Sequence, residues 1–163
     1  MGDGAPGDDD LAAAAGRIGA ALGERGGALG VAESLTGGMV ASVLSRAEGS
    51  SDWFAGGVVA YRRSVKHDVL GVPPGPVVTE RAAMAMAEGV ASLLGVDIGV
   101  GLTGAGGPDP QDGAPPGTVW MAVHHDGVTR SVVHNFDDDN PSVVCRRSCA
   151  AALDLVEETL GSG

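Results

Sequence analysis

The stretch Val31-Ala32-Glu33-Ser34-Leu35-Thr36-Gly37-Gly38 decides how this chain folds. A short apolar run over residues 28–32 leads into it, and a helical pattern over 39–47 leads out. That order predicts a strand, a turn and a helix. The turn carries a carboxylate, two hydroxyls and two glycines. Glycine lets backbone approach a ligand with no Cβ in the way. The first N–H groups of a helix point back into such a turn and favour negative charge. Ser34 or Thr36 is therefore either the cap of the helix or part of a site that holds an anion, or an oxyanion formed during a reaction.

Outward from the turn, the pattern alternates. An acidic start at Asp8-Asp9-Asp10 suits a helix N-terminus, and Leu11, Ala14, Ala15, Ile18 and Leu22 follow at helical spacing. Gly26-Gly27 ends that helix, and residues 28–32 form the first strand. Trp53 and Phe54 read as a packing anchor before a glycine step, Gly56-Gly57. A second strand is expected over 58–61, with Tyr61 at its end and Lys66 in a short helical segment over 64–70. A proline-rich connector, 72–76, precedes Thr79, the expected cap of a long helix over 80–94. Its stripe, Ala83, Met86, Ala87, Val90 and Leu94, reads as core. A buried strand is expected over 96–102, and a loop over 103–109. Two further strands, 118–125 and 128–136, join at Asp126-Gly127, a hairpin signal. A closing helix spans 141–160.

Strands alternating with helices until a late hairpin predict one α/β domain: a three-layer α/β/α sandwich with a mixed, mostly parallel sheet. Residues 1–7 are expected to be a disordered tail and 8–163 the domain. Ligands in such sheets sit beyond the carboxyl ends of the strands. The Ser34 turn, the Tyr61–Lys66 segment and the 103–109 loop all fall there, and that convergence favours a site over simple capping.

Composition narrows the function. With 163 residues, 44 % apolar and 3 % aromatic, the core must be built from Ala, Val, Leu and Ile. The net charge of −11 argues against a nucleic-acid footprint, which needs clustered Lys and Arg. It leaves room for a small anionic ligand in one local pocket. No apolar run reaches the roughly 18 residues of a membrane span, and the start lacks a signal-peptide pattern, so a cytoplasmic protein is expected. Cys145 and Cys149 lie four apart, on one helix face, without further ligands at zinc spacing. They read as small core or interface residues. His124 and His125 are strand neighbours that point to opposite faces, and Asp137-Asp138-Asp139 reads as a solvated turn. No metal and no cofactor is called for.

The ordered set of motifs resembles the CinA C-terminal domain family, whose characterised members are nicotinamide-nucleotide amidohydrolases. The resemblance runs from about Leu11 to Leu160. Ala32-Glu33-Ser34-Leu35-Thr36-Gly37-Gly38 is similar to the family's A-E-S-x-T-G-G. Gly49-Ser50-Ser51-Asp52-Trp53-Phe54 is similar to its G-S-S-x-W-F, and Tyr61 and Lys66 keep its tyrosine-to-lysine interval. Thr103-Gly104-Ala105-Gly106-Gly107-Pro108 resembles its S-G-I-A-G-P loop, and Gly117-Thr118-Val119-Trp120 its G-T-V-W. The resemblance implies deamidation of nicotinamide mononucleotide to nicotinate mononucleotide and ammonia, without a metal, by a serine–lysine pair. Ser34 would be the nucleophile, Lys66 its base and Tyr61 a hydroxyl partner. The expected substrate-binding set is Glu33, Thr36, Gly37, Gly38, Thr103, Gly104, Gly106, Gly107 and Arg146. A nucleotide substrate and a homo-oligomer, dimer or higher, are expected as partners.

Two departures stand out. Arg62-Arg63 replaces the family's S-N after the tyrosine. The family opens its last helix with G-D-R-x-x-I-R, and here Asp139-Asn140-Pro141-Ser142-Val143-Val144-Cys145 stands there. Both arginine positions have changed, and Arg146 is one residue off, a rotation of about 100° on a helix. Arginine suits phosphate. The alternative reading is therefore a CinA-like nucleotide-binding or interaction module that is inactive or re-specialised. The chemistry itself is sound for an amidase. A serine hydroxyl needs a base, and burial lowers a lysine's pKa enough to supply one. The alternatives for Lys66 and Tyr61 are an exposed helix residue and a strand-end packing residue.

Overall fold

A computed structural model describes residues 4–162. Five helices and five strands follow one another as α1 (Asp8–Arg25), β1 (Leu29–Glu33), α2 (Met39–Ser45), β2 (Phe54–Val59), α3 (Arg63–Asp68), α4 (Glu80–Leu94), β3 (Ile98–Gly104), β4 (Thr118–His125), β5 (Val128–Asn135) and α5 (Pro141–Gly161), with a 3₁₀ turn at Ser50–Asp52. The strands form one sheet in the order β2-β1-β3-β4-β5. β1 pairs in parallel with β2 and β3, while β3-β4 and β4-β5 are antiparallel. The carboxyl ends of β1, β2, β3 and β5 therefore share one rim.

The central strands β1 and β3 are buried along their whole length, and the edge strands β2 and β5 alternate. That is the burial expected of covered and edge positions. One face packs α1, α2 and α5 around Ile18, Leu22, Leu29, Leu44, Val100, Met121 and Leu153. The other face packs α4 and the 70–77 segment around Leu70, Val72, Met86 and Val90. Each fully buried Leu, Ile or Met contributes about 1.5–3 kcal/mol relative to exposure. Trp53 is the anchor that its aromatic character predicts. It packs edge-on to Phe54 with ring centroids 6.2 Å apart, and its indole lies against Gly19 of α1.

Several boundaries differ from those read off the sequence. β2 begins at Phe54 and ends at Val59, so Gly56 and Gly57 lie inside the strand and Tyr61 lies beyond it. A Cβ at Gly57 would come within 3.0 Å of the Val31 side chain and carbonyl, so close packing, not chain reversal, selects this glycine. β3 runs to Gly104, with Thr103 opposite Trp120 and Gly104 opposite Val119. Of the tail expected over 1–7, residues 1–3 lie outside the described ones. Pro6 is held by Arg146, whose Nε donates to its carbonyl at 2.8 Å.

Capping follows local chemistry. Thr79 Oγ1 accepts from Ala82 N at 3.1 Å, and Gly95 closes α4 in the left-handed region. α4 then lies on β3 through glycines. A Cβ at Gly99 would collide with the Ala87 carbonyl, and one at Gly101 with the Ala83 carbonyl. Gly99→Ala should therefore push α4 off the sheet and cost about 1–3 kcal/mol, read as a lowered denaturant midpoint with unchanged slope.

Candidate active site

At the shared rim, a cleft of about 340 Å³ is lined by Ser34 and Leu35 after β1, Tyr61 after β2, and Gly104, Gly106 and Gly107 after β3. Asp109, Pro110, Gln111, Pro141 and Cys145 complete its wall. Three separate turns thus converge because parallel strands deliver their carboxyl ends to one side.

Ser34 sits at the bottom, 8 % exposed. Among the described residues, its hydroxyl has no hydrogen-bond partner, whereas three threonine hydroxyls near the rim are committed. Thr36 Oγ1 donates to Glu33 Oε1 at 2.6 Å, Thr103 Oγ1 to the Val77 carbonyl at 2.5 Å, and Thr118 Oγ1 to Asn135 Oδ1 at 3.2 Å. Ser34 does not cap α2 either.

Glu33 performs that task. It is 1 % exposed, and its carboxylate accepts from Val40 N and Ala41 N, both at 2.9 Å, besides the Thr36 hydroxyl. A buried carboxylate at a helix N-terminus is favoured by the dipole and by charge-assisted hydrogen bonds. Glu33 and Thr36 therefore brace the serine turn. The same bonds occupy the N-terminal N–H groups of α2. Gly37 N donates to the Ser34 carbonyl at 3.0 Å and Met39 N to that of Thr36 at 3.1 Å. Gly37 and Gly38 hold φ +60 and +104, so they shape the turn, and neither lines the cleft. Glu33→Gln places an amide donor against N–H donors. It should lower stability by about 1.5–3 kcal/mol, seen as a fall in Tm together with weakened activity.

Lys66 is 1 % exposed, on α3. Its Nζ donates to the carbonyl of Ala60 at 2.7 Å and lies 3.5 Å from that of Tyr61. Ala60 N in turn donates to the Glu33 carbonyl at 2.7 Å, so the amine is anchored at the residue that follows β2, beside the serine turn. Burial and, next, the neighbouring Arg63 charge push its pKa down, with Asp112 opposing them. The lysine therefore favours its neutral, basic form more than an exposed one does. Nζ bonds the backbone, and no hydrogen bond joins it to Ser34 Oγ. Tyr61 is 72 % exposed at the cleft mouth.

Other expected contacts lie elsewhere. Thr103 points to Val77, away from the cleft. Gly104 lines the cleft, but a Cβ there would strike the Thr118 carbonyl at 2.8 Å, so strand packing accounts for this glycine. Arg146 is turned from the cleft by the helical rotation. Its Nη2 bonds Asp8 at 2.6 Å, besides the Nε bond to Pro6, and holds the Asp8 carboxyl below its usual range.

Two further residues shape the surroundings of the cleft: Asp112, not singled out in the sequence, and Cys145, read there as a core or interface residue. Asp112 clamps the glycine loop. It takes Arg63 Nη2 at 2.7 Å, Val77 N at 2.7 Å and Val78 N at 3.2 Å. Burial alone would raise its carboxyl, yet these donors hold it below the ordinary value. Cys145 enters the cleft wall and its Sγ donates to the Leu35 carbonyl at 3.2 Å. Burial, and secondarily Glu33, push this thiol up, and Cys149 up to about 12. Both are neutral thiols, poor ligands and poor nucleophiles. Cys145 also stands where the resemblance implies the second late arginine.

Residues 11–160 match the family model of the CinA C-terminal domain. The chain belongs to this family. A CinA-like protein of Gemmatimonas aurantiaca is 46 % identical over 134 residues, covering 77 % of this chain and 30 % of that protein. A competence-damage inducible protein of Limosilactobacillus reuteri is 42 % identical over 117 residues, covering 69 % and 28 %. The chain thus spans about a third or less of the length of these relatives. Whole chains of comparable size also exist. A crystal structure of a CinA superfamily protein from Klebsiella pneumoniae superposes with a TM-score of 0.89 at 30 % identity, covering 94 % of this chain and 99 % of that one. One from Escherichia coli gives 0.89 at 30 %, covering 94 % and 93 %. No helix among the described residues is long and apolar enough to cross a membrane.

Proposed function

We propose that this domain is a serine amidohydrolase that cleaves the carboxamide of a nicotinamide-type substrate, with deamidation of nicotinamide mononucleotide to nicotinate mononucleotide and ammonia as its reference reaction. The observation that carries this reading is the uncommitted Ser34 hydroxyl at the cleft floor, one strand away from a buried lysine with a depressed pKa. A buried amine without a carboxylate partner is costly to keep, and such groups cluster at functional sites.

In the proposed reaction, neutral Lys66 Nζ leaves the Ala60 carbonyl and takes the Ser34 Oγ proton as Oγ attacks the carboxamide carbon. The oxyanion is met by the backbone N–H of Leu35, which lines the cleft and has no acceptor among the described residues. The C–N bond then breaks, and the proton on Nζ passes to the leaving nitrogen, releasing ammonia. Water, deprotonated by Lys66, cleaves the Ser34 ester to give the carboxylate and restore the hydroxyl. Tyr61, at the mouth, orients the substrate.

The second reading, a retained fold with an altered or silent site, is favoured by one observation: Lys66 rests on backbone rather than on Ser34. Time-resolved ammonia release from nicotinamide mononucleotide and from smaller pyridine carboxamides separates the two. Release that scales with protein and disappears with Ser34 supports the amidase, while no release from any of them favours the silent site.

A further inference from the structure

The cleft wall carries Asp109 and, among the described residues that line it, no cation. Pro141 and Cys145, which stand where the resemblance implies arginines, both lie in that wall. The nearby arginines are committed or face elsewhere. Arg63 is bound to Asp112, Arg146 to Asp8 and Pro6, and Arg62 is exposed and outside the lining. Helix N-termini offer no substitute. Val40 and Ala41 N–H of α2 are spent on Glu33. At α5, Pro141 has no N–H, Ser142 N bonds Asn140 Oδ1 at 3.0 Å, and Val143 and Val144 N bond the Asn140 carbonyl at 3.1 Å. A dianionic phosphate placed here would lose its hydration without meeting a cationic side chain, and would face a carboxylate.

We infer that this cleft takes a carboxamide substrate that carries no phosphate: a pyridinium nucleoside, whose ring is cationic and whose sugar is neutral, with Asp109 facing that cation or the sugar hydroxyls. The positive ring complements the acidic wall, and the sugar hydroxyls can donate to it. Cys145 and Asp109 are the specificity-determining residues. The inference deepens the amidase reading and rests on it for turnover, although not for binding.

The test compares nicotinamide riboside with nicotinamide mononucleotide on the full chain at low ionic strength. Calorimetric affinities are measured with Ser34→Ala, and ammonia release with the wild type. The riboside is expected to bind at least about tenfold more tightly, equivalent to about 1.4 kcal/mol, and any turnover should favour it similarly in kcat/KM. Cys145→Arg should move the ratio toward the mononucleotide by about tenfold, as a restored bidentate phosphate contact would. Asp109→Asn, which keeps the side-chain shape, should weaken the riboside more than the mononucleotide. Preferred binding of the mononucleotide, or no binding of either compound, overturns the inference. Preferred riboside binding with no ammonia from either compound upholds the inference and removes the amidase reading. Ammonia from the mononucleotide alone does the reverse.

Discussion

Ser34→Ala is expected to abolish ammonia release, by about 10³-fold or more in kcat, while leaving the protein as stable as the wild type to within about 0.5 kcal/mol. The two halves of that expectation come from one observation. The Ser34 hydroxyl makes no hydrogen bond among the described residues, so its removal leaves no buried group without a partner. Were Ser34 a helix cap, alanine would cost about 1 kcal/mol or more. Here Glu33 holds those N–H groups. Thermal unfolding and ammonia release measured on the same preparation decide the matter. A large drop in Tm would return Ser34 to a structural role, and retained turnover would remove it as nucleophile.

The same turn shows what was legible in the sequence and what was not. Residues 28–38 announce strand, turn and helix through apolar run, glycines and helical spacing, and the structure has all three. The order of motifs also locates the rim, because parallel strands joined by crossover helices leave their ends on one side. The division of labour within the turn was less legible. Glutamate, serine and threonine all look suitable for a polar site. Only the path of α2 over β1 tells that Glu33 is swallowed as a brace, that Thr36 serves Glu33, and that Ser34 alone keeps its hydroxyl. Glycine misled where it marks close packing rather than a turn. Gly56-Gly57 punctuates the sequence, yet both lie inside β2, and at Gly57 Val31 and Ala41 come too close for a side chain. Thr103-Gly104 resembles loop chemistry, yet β4 extends the ladder over both. Arg146 and Cys145 differ by one helical step, and that step carries the arginine to the start of α1 and the thiol into the cleft. Lys66 stood out in the sequence through its interval from Tyr61, and it is the only lysine in the chain.

That singularity also makes its chemistry measurable. With lysine labelled at Nζ, one side-chain resonance is expected, and it should titrate below the ordinary lysine value of 10.5, since burial and then Arg63 disfavour the ammonium form. Activity should rise with pH through that lowered value, as Lys66 becomes the neutral base. Lys66→Arg keeps charge but cannot give up its proton at these pH values, so its turnover should fall by about 10²–10⁴-fold, the range of a lost general base. Lys66→Met, similar in reach and without charge, should be as slow, with no rise over that pH range. Stability supplies a second, independent readout. A lysine whose folded pKa is depressed burdens the folded state fully below that pKa, and the burden fades as pH climbs from the folded value to the unfolded one near 10.5. Over that window the wild type should gain stability relative to Lys66→Met. Taking the difference between the two removes the opposite trend of the buried thiols, whose raised pKa values cost stability at alkaline pH. A constant difference, together with a resonance that titrates at the ordinary value, would mean that Lys66 is a charged anchor for Ala60. Ser34 would then have to draw its base from elsewhere at the rim.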